Sequence, residues 1–350
     1  MSLPCGETKE SYQKDMSFIQ KRFHWVSLVL LLIVLFTLPF YSGVFIVGLF
    51  MAIMSFGIVI MGLNMLTEAG LFSVSHAAFM GIGAFLGSYL SLQLKMPFIL
   101  VILICGLVTS AVVTMLAFPA LRIKVWYLLF LTTATQFTIE WVLNYLTRDI
   151  PGSCMYYAKM GSYTIGRSFT LTEKYWIFLI LTIVFGYLIA HIARTPLGKA
   201  IVMIGERDYA AEVQGINQLK YKAIAFAISG FYAGVGGAMW GYYTGMVTPE
   251  HFHYLVSWEM LGVGVIVGGL GSYVWGSLLG TTIMIGVHQG IMALISMYAA
   301  KIPWIAATAF GFTAIFYGLV IAGVLIGEPH GMVALLKKIK RFFNLFPFSY

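Results

Sequence analysis

Apolar residues run in long blocks along the chain, and polar residues gather in a few interruptions between them. Ten blocks approach the length a helix needs to cross roughly 30 Å of hydrocarbon. They are Trp25–Phe40, Gly43–Leu66, Ser73–Ser91, Pro97–Phe118, Trp126–Thr147, Lys174–Ala193, Ala223–Gly245, Leu255–Gly269, Tyr273–Ser296 and Pro303–Ile326. The eighth is the shortest. Trp25–Phe40 lacks a small-residue cleavage site, so it reads as a retained first span rather than a removed signal peptide. The pattern predicts an all-α polytopic membrane protein with a polar segment 1–24, a transmembrane domain 25–326 and a basic tail 327–350. Two long polar loops, 148–173 and 194–222, interrupt the domain.

Composition agrees with that class. Hydrophobic residues make up 60% of the 350 and charged residues 10%, and the mean hydropathy is +0.90, which a soluble domain would not tolerate at its surface. The 37 glycines fit helices that pack closely through small residues in lipid. Cys5, Cys105 and Cys154 have neither pairing nor metal-ligand spacing. The net charge of +8 follows membrane topology, so it does not call for nucleic acid. With the N-terminus inside, fifteen of the 21 lysines and arginines, including Lys337, Lys338, Lys340 and Arg341, fall on the inner side. By the positive-inside rule both termini and the 194–222 loop are cytoplasmic, and the 148–173 loop faces out. Ten spans divide into two sets of five, which an odd count makes inverted halves. A glycine echo supports the division: Gly83–Leu90 in the third span against Gly268–Val274 at the end of the eighth. Such segments in inverted halves mark a transport pathway, or else ordinary helix packing.

The 194–222 loop is punctuated as two short helices. Thr195 caps the first, Pro196 occupies its first turn, and Gly205 is placed to end it through a left-handed residue. Asp208–Gln214 forms the second, stopped by Gly215, and Asn217 caps the helix that re-enters the apolar run. Helices this short have little stability alone. They dock on a partner or lie as an ordered loop on their own bundle.

Among charged residues only Glu140 and Glu259 fall clearly within predicted spans. A carboxylate there costs roughly 3 kcal/mol or more, so each should face the bundle interior or water. Both lie in the outer half of their spans, where they face one outer vestibule or act as packing anchors. His76, at the start of the third span, bonds a ligand or satisfies a neighbouring helix end, with Asn64 as the candidate neighbour. The chain contains no G-x-x-x-x-G-K-[ST] and no H-E-x-x-H. Ser75 and His76 are adjacent and point to different sides of a helix, so they do not pair for catalysis. No catalytic residue, metal or cofactor is expected in this chain.

Three stretches together resemble the permease subunits of branched-chain amino-acid ABC importers, of the M (LivM) type. They are Gly62–Thr67 through Ser75–Ala84, Ala193–Lys199 continuing through Glu206–Asn217, and Tyr221–Phe226 through Pro249–Glu250 to Gly268–Gly271. The likeness covers roughly residues 50–325. The chain departs from the family pattern at Phe72–Ser75 and in the tyrosines and methionines near Tyr242–Met246. The resemblance implies an inner-membrane importer subunit with two cytoplasmic ATPases that carry ATP and Mg, a second permease (a paralogue or an identical copy), and a periplasmic solute-binding protein. Its ATPase-coupling residues would be Glu206, Arg207, Asp208, Ala210, Ala211, Glu212 and Gly215. The alanine pair would seat in a partner's groove, and motion would pass through Asn217 and the seventh span. The candidate pathway residues are Asn64, His76, Glu140, Glu259, Gly268, Gly269 and Gly271, and the family tends to carry acidic residues near the two glutamates. The competing readings are an ion-gradient-driven secondary transporter and a passive channel.

Overall fold

The computed structural model describes residues 22–118, 125–147, 154–155, 170–299, 309–328 and 331–345. The 1–21 segment, most of the 148–173 loop and the basic residues Arg122, Lys124 and Lys301 lie outside them. The chain divides into two compact units, residues 1–47 and 48–350. The first holds α1 (Arg22–Tyr41), an apolar helix with Pro39 in its last turn and exposed side chains such as Leu30 and Phe40.

Helix α2 is Val44–Glu68. There follow α3 (His76–Leu92), α4 (Phe98–Ala117), α5 (Val125–Thr147), β1 (Cys154–Met155), α6 (Leu171–Arg194), α7 (Pro196–Glu206), α8 (Asp208–Val213) and α9 (Gln218–Thr244). After β2 (Met246–Val247) and a 3-10 turn at Pro249–Phe252 come α10 (Tyr254–Glu259) and a π-helix (Met260–Val267). The last elements are α11 (Trp275–Ala299), α12 (Ala309–Gly327) and α13 (Met332–Leu345). Strands β1 and β2 pair antiparallel, Cys154 opposite Val247. Among the described residues four helices, α2, α4, α6 and α9, are long and apolar enough to cross a membrane.

Helix α9 is the hub, because its glycines let other backbones come against it. A Cβ on Gly237 would lie 2.0 Å from the Met80 carbonyl oxygen, and one on Gly234 2.5 Å from that of Cys105, so α3 and α4 seat directly on it. Gly236 meets α2 at Ser55 and Val59 in the same way. The Tyr232 hydroxyl donates to the Phe185 carbonyl at 2.8 Å and ties α6 on. On the far side of α2, Gly264 of the π-helix packs on Ile60, and Gly280 of α11 packs on the Gly264 carbonyl.

Two expectations from sequence shift here. The third block begins as helix only at His76, because Ala69–Ser75 is non-helical and almost wholly buried. The two glycine-rich segments do different work: Gly83 lies inside α3 against Gly234, whereas Gly268–Gly271 forms the turn between the π-helix and α11, with Gly269 and Gly271 at positive φ.

Candidate functional site

The polar loop folds largely as its punctuation predicts. The Thr195 hydroxyl accepts the Gly198 N–H at 3.4 Å with Pro196 in the first turn. Gly215 takes a φ of +79° after α8, and the Asn217 carboxamide accepts the Lys220 N–H at 3.1 Å. Lys222 on α9 reaches back to Asp208 at 3.1 Å, and Gln218 donates to the Asp208 carbonyl at 3.0 Å, so α8 is strapped to the start of α9.

Gly205 is different. It does not end α7 in a left-handed conformation. The helix runs on to Glu206 and stops at Arg207, which is extended. Glycine is needed for close approach: a Cβ there would fall 1.9 Å from the Glu68 carbonyl oxygen and 2.9 Å from the Gly70 nitrogen. The loop therefore sits on the end of α2 through bare backbone. Sequence reading passed over Glu68 and Gly70, since neither lies within an apolar run.

The orientation of α8 corrects the expectation for the alanine pair. Ala211 is fully buried in its own chain and Ala210 is half-buried, while Tyr209 and Val213 are 80% and 70% exposed. A helix this short turns one face to its own bundle and the other outward, and the smallest residue takes the close inner contact. Ala211 is thus unavailable to a partner's groove. Glu206, Arg207, Asp208 and Glu212 are exposed, and Glu206 is near enough to Glu68 for the two carboxylates to interact.

Asn64 belongs to the same end of the bundle and does not meet His76. Its carboxamide accepts the Gly271 N–H at 3.2 Å and donates to the Ser272 carbonyl at 3.3 Å and the Ser277 hydroxyl at 3.2 Å. A Cβ on Gly271 would lie 2.8 Å from the Glu68 carboxylate. Asn64 and Glu68 therefore clamp the Gly268–Ser272 turn beside the seat of Gly205.

From that clamp the non-helical Ala69–Ser75 segment leads inward to His76. His76 is fully buried, with Nε2 in a hydrogen bond to the Ser229 hydroxyl and its ring edge-on to Phe79. Ser229 lies about 16 Å along α9 from Gln218, near the middle of that helix, so α3 starts deep in the bundle. Its first amides need partners there, because they are buried. The Ala77 N–H donates to the Ser257 hydroxyl at 2.8 Å, and the Ala78 N–H to Gln136 Oε1 at 2.9 Å. Ser257 in turn donates to Gln136 Oε1 at 2.9 Å, and Gln136 Nε2 donates to the Phe252 carbonyl at 2.7 Å. Thr132 receives the Val74 N–H at 3.2 Å. A small cleft beside Ser75 is lined by Phe79, Thr132, Thr135 and Phe226. His76 Nδ1 is buried without a hydrogen-bond partner among the described residues.

Gln136, Ser257, Ser229 and Thr132 were missed from sequence. The only trace of them is the polar run Thr132–Gln136 inside a span, which neutral side chains make easy to overlook. The two membrane carboxylates stand apart from this network. Glu140 on α5 has Oε2 buried without a partner among the described residues. Glu259 ends α10 near Tyr317, whose hydroxyl donates to the Met284 carbonyl at 2.7 Å. Their helices touch through Phe137 and Tyr254, stacked at 5.1 Å.

A family model described as branched-chain amino acid transport system / permease component matches residues 45–327. The high-affinity branched-chain amino acid transport system permease protein LivM of Escherichia coli K12 is 26% identical over 238 residues, 61% of this chain and 56% of LivM. LivM of Salmonella typhimurium is likewise 26% identical, over 237 residues. The guanosine ABC transporter permease protein NupQ of Bacillus subtilis is 31% identical over 109 residues, 30% of this chain and 31% of NupQ. The matched region of this chain thus spans little more than half the length of the LivM relatives. No solved structure matches the chain.

Proposed function

The chain belongs to the family of branched-chain amino-acid transport permease components, and from that premise we propose that it is the membrane subunit of an ATP-binding-cassette importer. Its cargo is a small polar solute, a branched-chain amino acid or a related amino acid, amide or organic acid, delivered by a periplasmic binding protein. Two cytoplasmic ATPases supply the work, holding ATP and Mg on their own chains, and a second permease, a paralogue, completes the pathway. The chain sits in the bacterial inner membrane with ten spans and both termini cytoplasmic.

One observation carries this reading: Gly205 of the polar loop rests on the Glu68 backbone, only eight residues before His76. A push on α7 and α8 reaches the deep start of α3 through Glu68–Ser75, a shorter route than one through Asn217 and the length of α9. The surface that receives the push is Tyr209 and Val213, with Glu206, Arg207, Asp208 and Glu212 as a rim of ion pairs, each modest in energy. Matched packing favours two inverted halves. Helix α3 touches α4 and α5 as the π-helix touches α11 and α12. Non-helical backbone inside a span is tolerated where it is buried in protein or lines a cavity, which suits a moving part at Ala69–Ser75.

The test is a Tyr209→Ala, Val213→Asp permease expressed with its ATPases. Both positions are exposed, so the melting temperature should stay unchanged while the ATPases cease to co-purify and ATP-driven uptake falls more than tenfold. Uptake that persists in this variant and follows an ion gradient instead would overturn the reading in favour of a secondary transporter.

A further inference from the structure

The C-terminal helix α13 has a composition unlike that of any other helix among the described residues. At helical spacing, the sequence places Lys337, Lys338, Lys340 and Arg341 on one arc and Met332, Leu335, Leu336, Ile339, Phe342 and Phe343 on the opposite one. No acidic residue follows Glu328. Leu336 and Ile339 are 47% and 45% exposed, so these two positions of the apolar arc are not spent on the bundle. The helix is nevertheless fastened at its start. Gly331, at a φ of +81°, comes so close that a Cβ would lie 2.7 Å from the Gly269 Cα, and the Val333 N–H donates to the Gly268 carbonyl at 3.4 Å. Lys338 pairs with Glu328 at 3.2 Å.

We propose that α13 is an interfacial helix that binds the anionic lipid surface at the loop-bearing end of the bundle and so loads the Gly268–Ser272 turn. The chemistry selects lipid over protein. A basic arc of single sign opposite an apolar arc suits a headgroup plane with acyl chains beneath it, whereas the α8 surface carries both signs, as a protein rim does. Distance agrees. Only Glu328–Gly331 separates the end of α12 from α13, a tether of at most about 14 Å, so the helix starts within reach of the bilayer surface. Its anchorage makes the binding consequential. Gly331 holds the same turn that Asn64 and Glu68 hold, and Glu68 carries Gly205. Lipid engagement and the polar loop thus bear on one turn. The lipid binding itself stands whether or not the transport reading does.

The experiment uses the full chain in nanodiscs. Cys5→Ser, Cys105→Ala and Cys154→Ser leave an introduced Ile339→Cys as the sole thiol, which carries an environment-sensitive fluorophore. In discs with about one third phosphatidylglycerol, emission should shift to the blue and be quenched by doxyl groups on the lipids. In phosphatidylcholine alone both effects should be largely absent. Each basic side chain near an anionic surface changes partition about fivefold, so Lys337→Gln, Lys340→Gln and Arg341→Gln together should weaken it roughly a hundredfold and abolish the shift. The triple variant keeps the Lys338–Glu328 pair, and an unchanged melting temperature in phosphatidylcholine shows that it folds. Equal emission in the two lipids, or a shift that comes only when the ATPases are added, would overturn the proposal.

Discussion

Helix α9 begins in the polar loop with its own Asn217 accepting the Lys220 N–H at 3.1 Å, whereas α3 begins inside the bundle and borrows its caps. Ser257 and Gln136, 180 and 58 residues distant from the amides they meet, take the place of a local side chain. Ser75, which stands at the cap position of α3, makes no capping bond and instead pairs with the Ser73 hydroxyl at 3.0 Å. The difference follows from solvent. At the surface, water satisfies whatever one cap leaves, and the cap contributes about 1 kcal/mol. In the interior each unmet amide costs its full desolvation, so the ends of several elements must converge on the helix start. A start built that way can be shifted by moving any of them, which suits a transport pathway. One built on Asn217 rests on a single local side chain.

Gln136→Leu attacks the borrowed caps and should have the largest effect. It strands the Ala78 N–H, the Ser257 hydroxyl and the Phe252 carbonyl together, at about 1–3 kcal/mol for each group left unmet. The melting temperature in detergent should drop by many degrees and uptake should be lost. A near-neutral result would show that α3 does not depend on this network.

Asn217→Ala should act locally, with a cost of about 1 kcal/mol and a melting temperature lowered by a few degrees. If it proved as damaging as Gln136→Leu, the contrast between the two helix starts would fail.

Lys222→Met removes the pair with Asp208. The Asp208 side chain is 56% exposed against 14% for Lys222, so the partly solvated pair should contribute under about 1 kcal/mol. Thermal unfolding at low and high salt checks this, since the small gap between wild type and variant should close as salt rises.

Much of the molecule follows from short-range pattern. The apolar blocks locate the long helices to within a few residues, and Thr195, Pro196, Gly215 and Asn217 set out the polar loop, because caps and breakers act through backbone only a few residues away. The resemblance carried by Glu206–Asn217 agrees with the family whose model matches residues 45–327. What the pattern misread was each position whose role depends on a distant partner. Local pattern makes Gly205 a helix stop, because glycine often is one; only the packed structure shows the Glu68 carbonyl against it. Local pattern leaves Ala211 as an outward docking residue, since nothing local says which side of α8 faces the bundle.

By itself, then, the sequence determined the all-α membrane class, the ends of the surface helices and the family, since these rest on hydrophobicity, spacing and local backbone chemistry. Only the tertiary structure decided that α3 starts at mid-depth on Gln136 and Ser257, that Asn64 clamps Gly268–Ser272 rather than His76, and that Tyr209 rather than Ala211 faces outward. Each of these depends on which backbones approach one another across long sequence separations, and that is set by how the glycines of α9, α7 and the π-helix let neighbouring chain segments close on them.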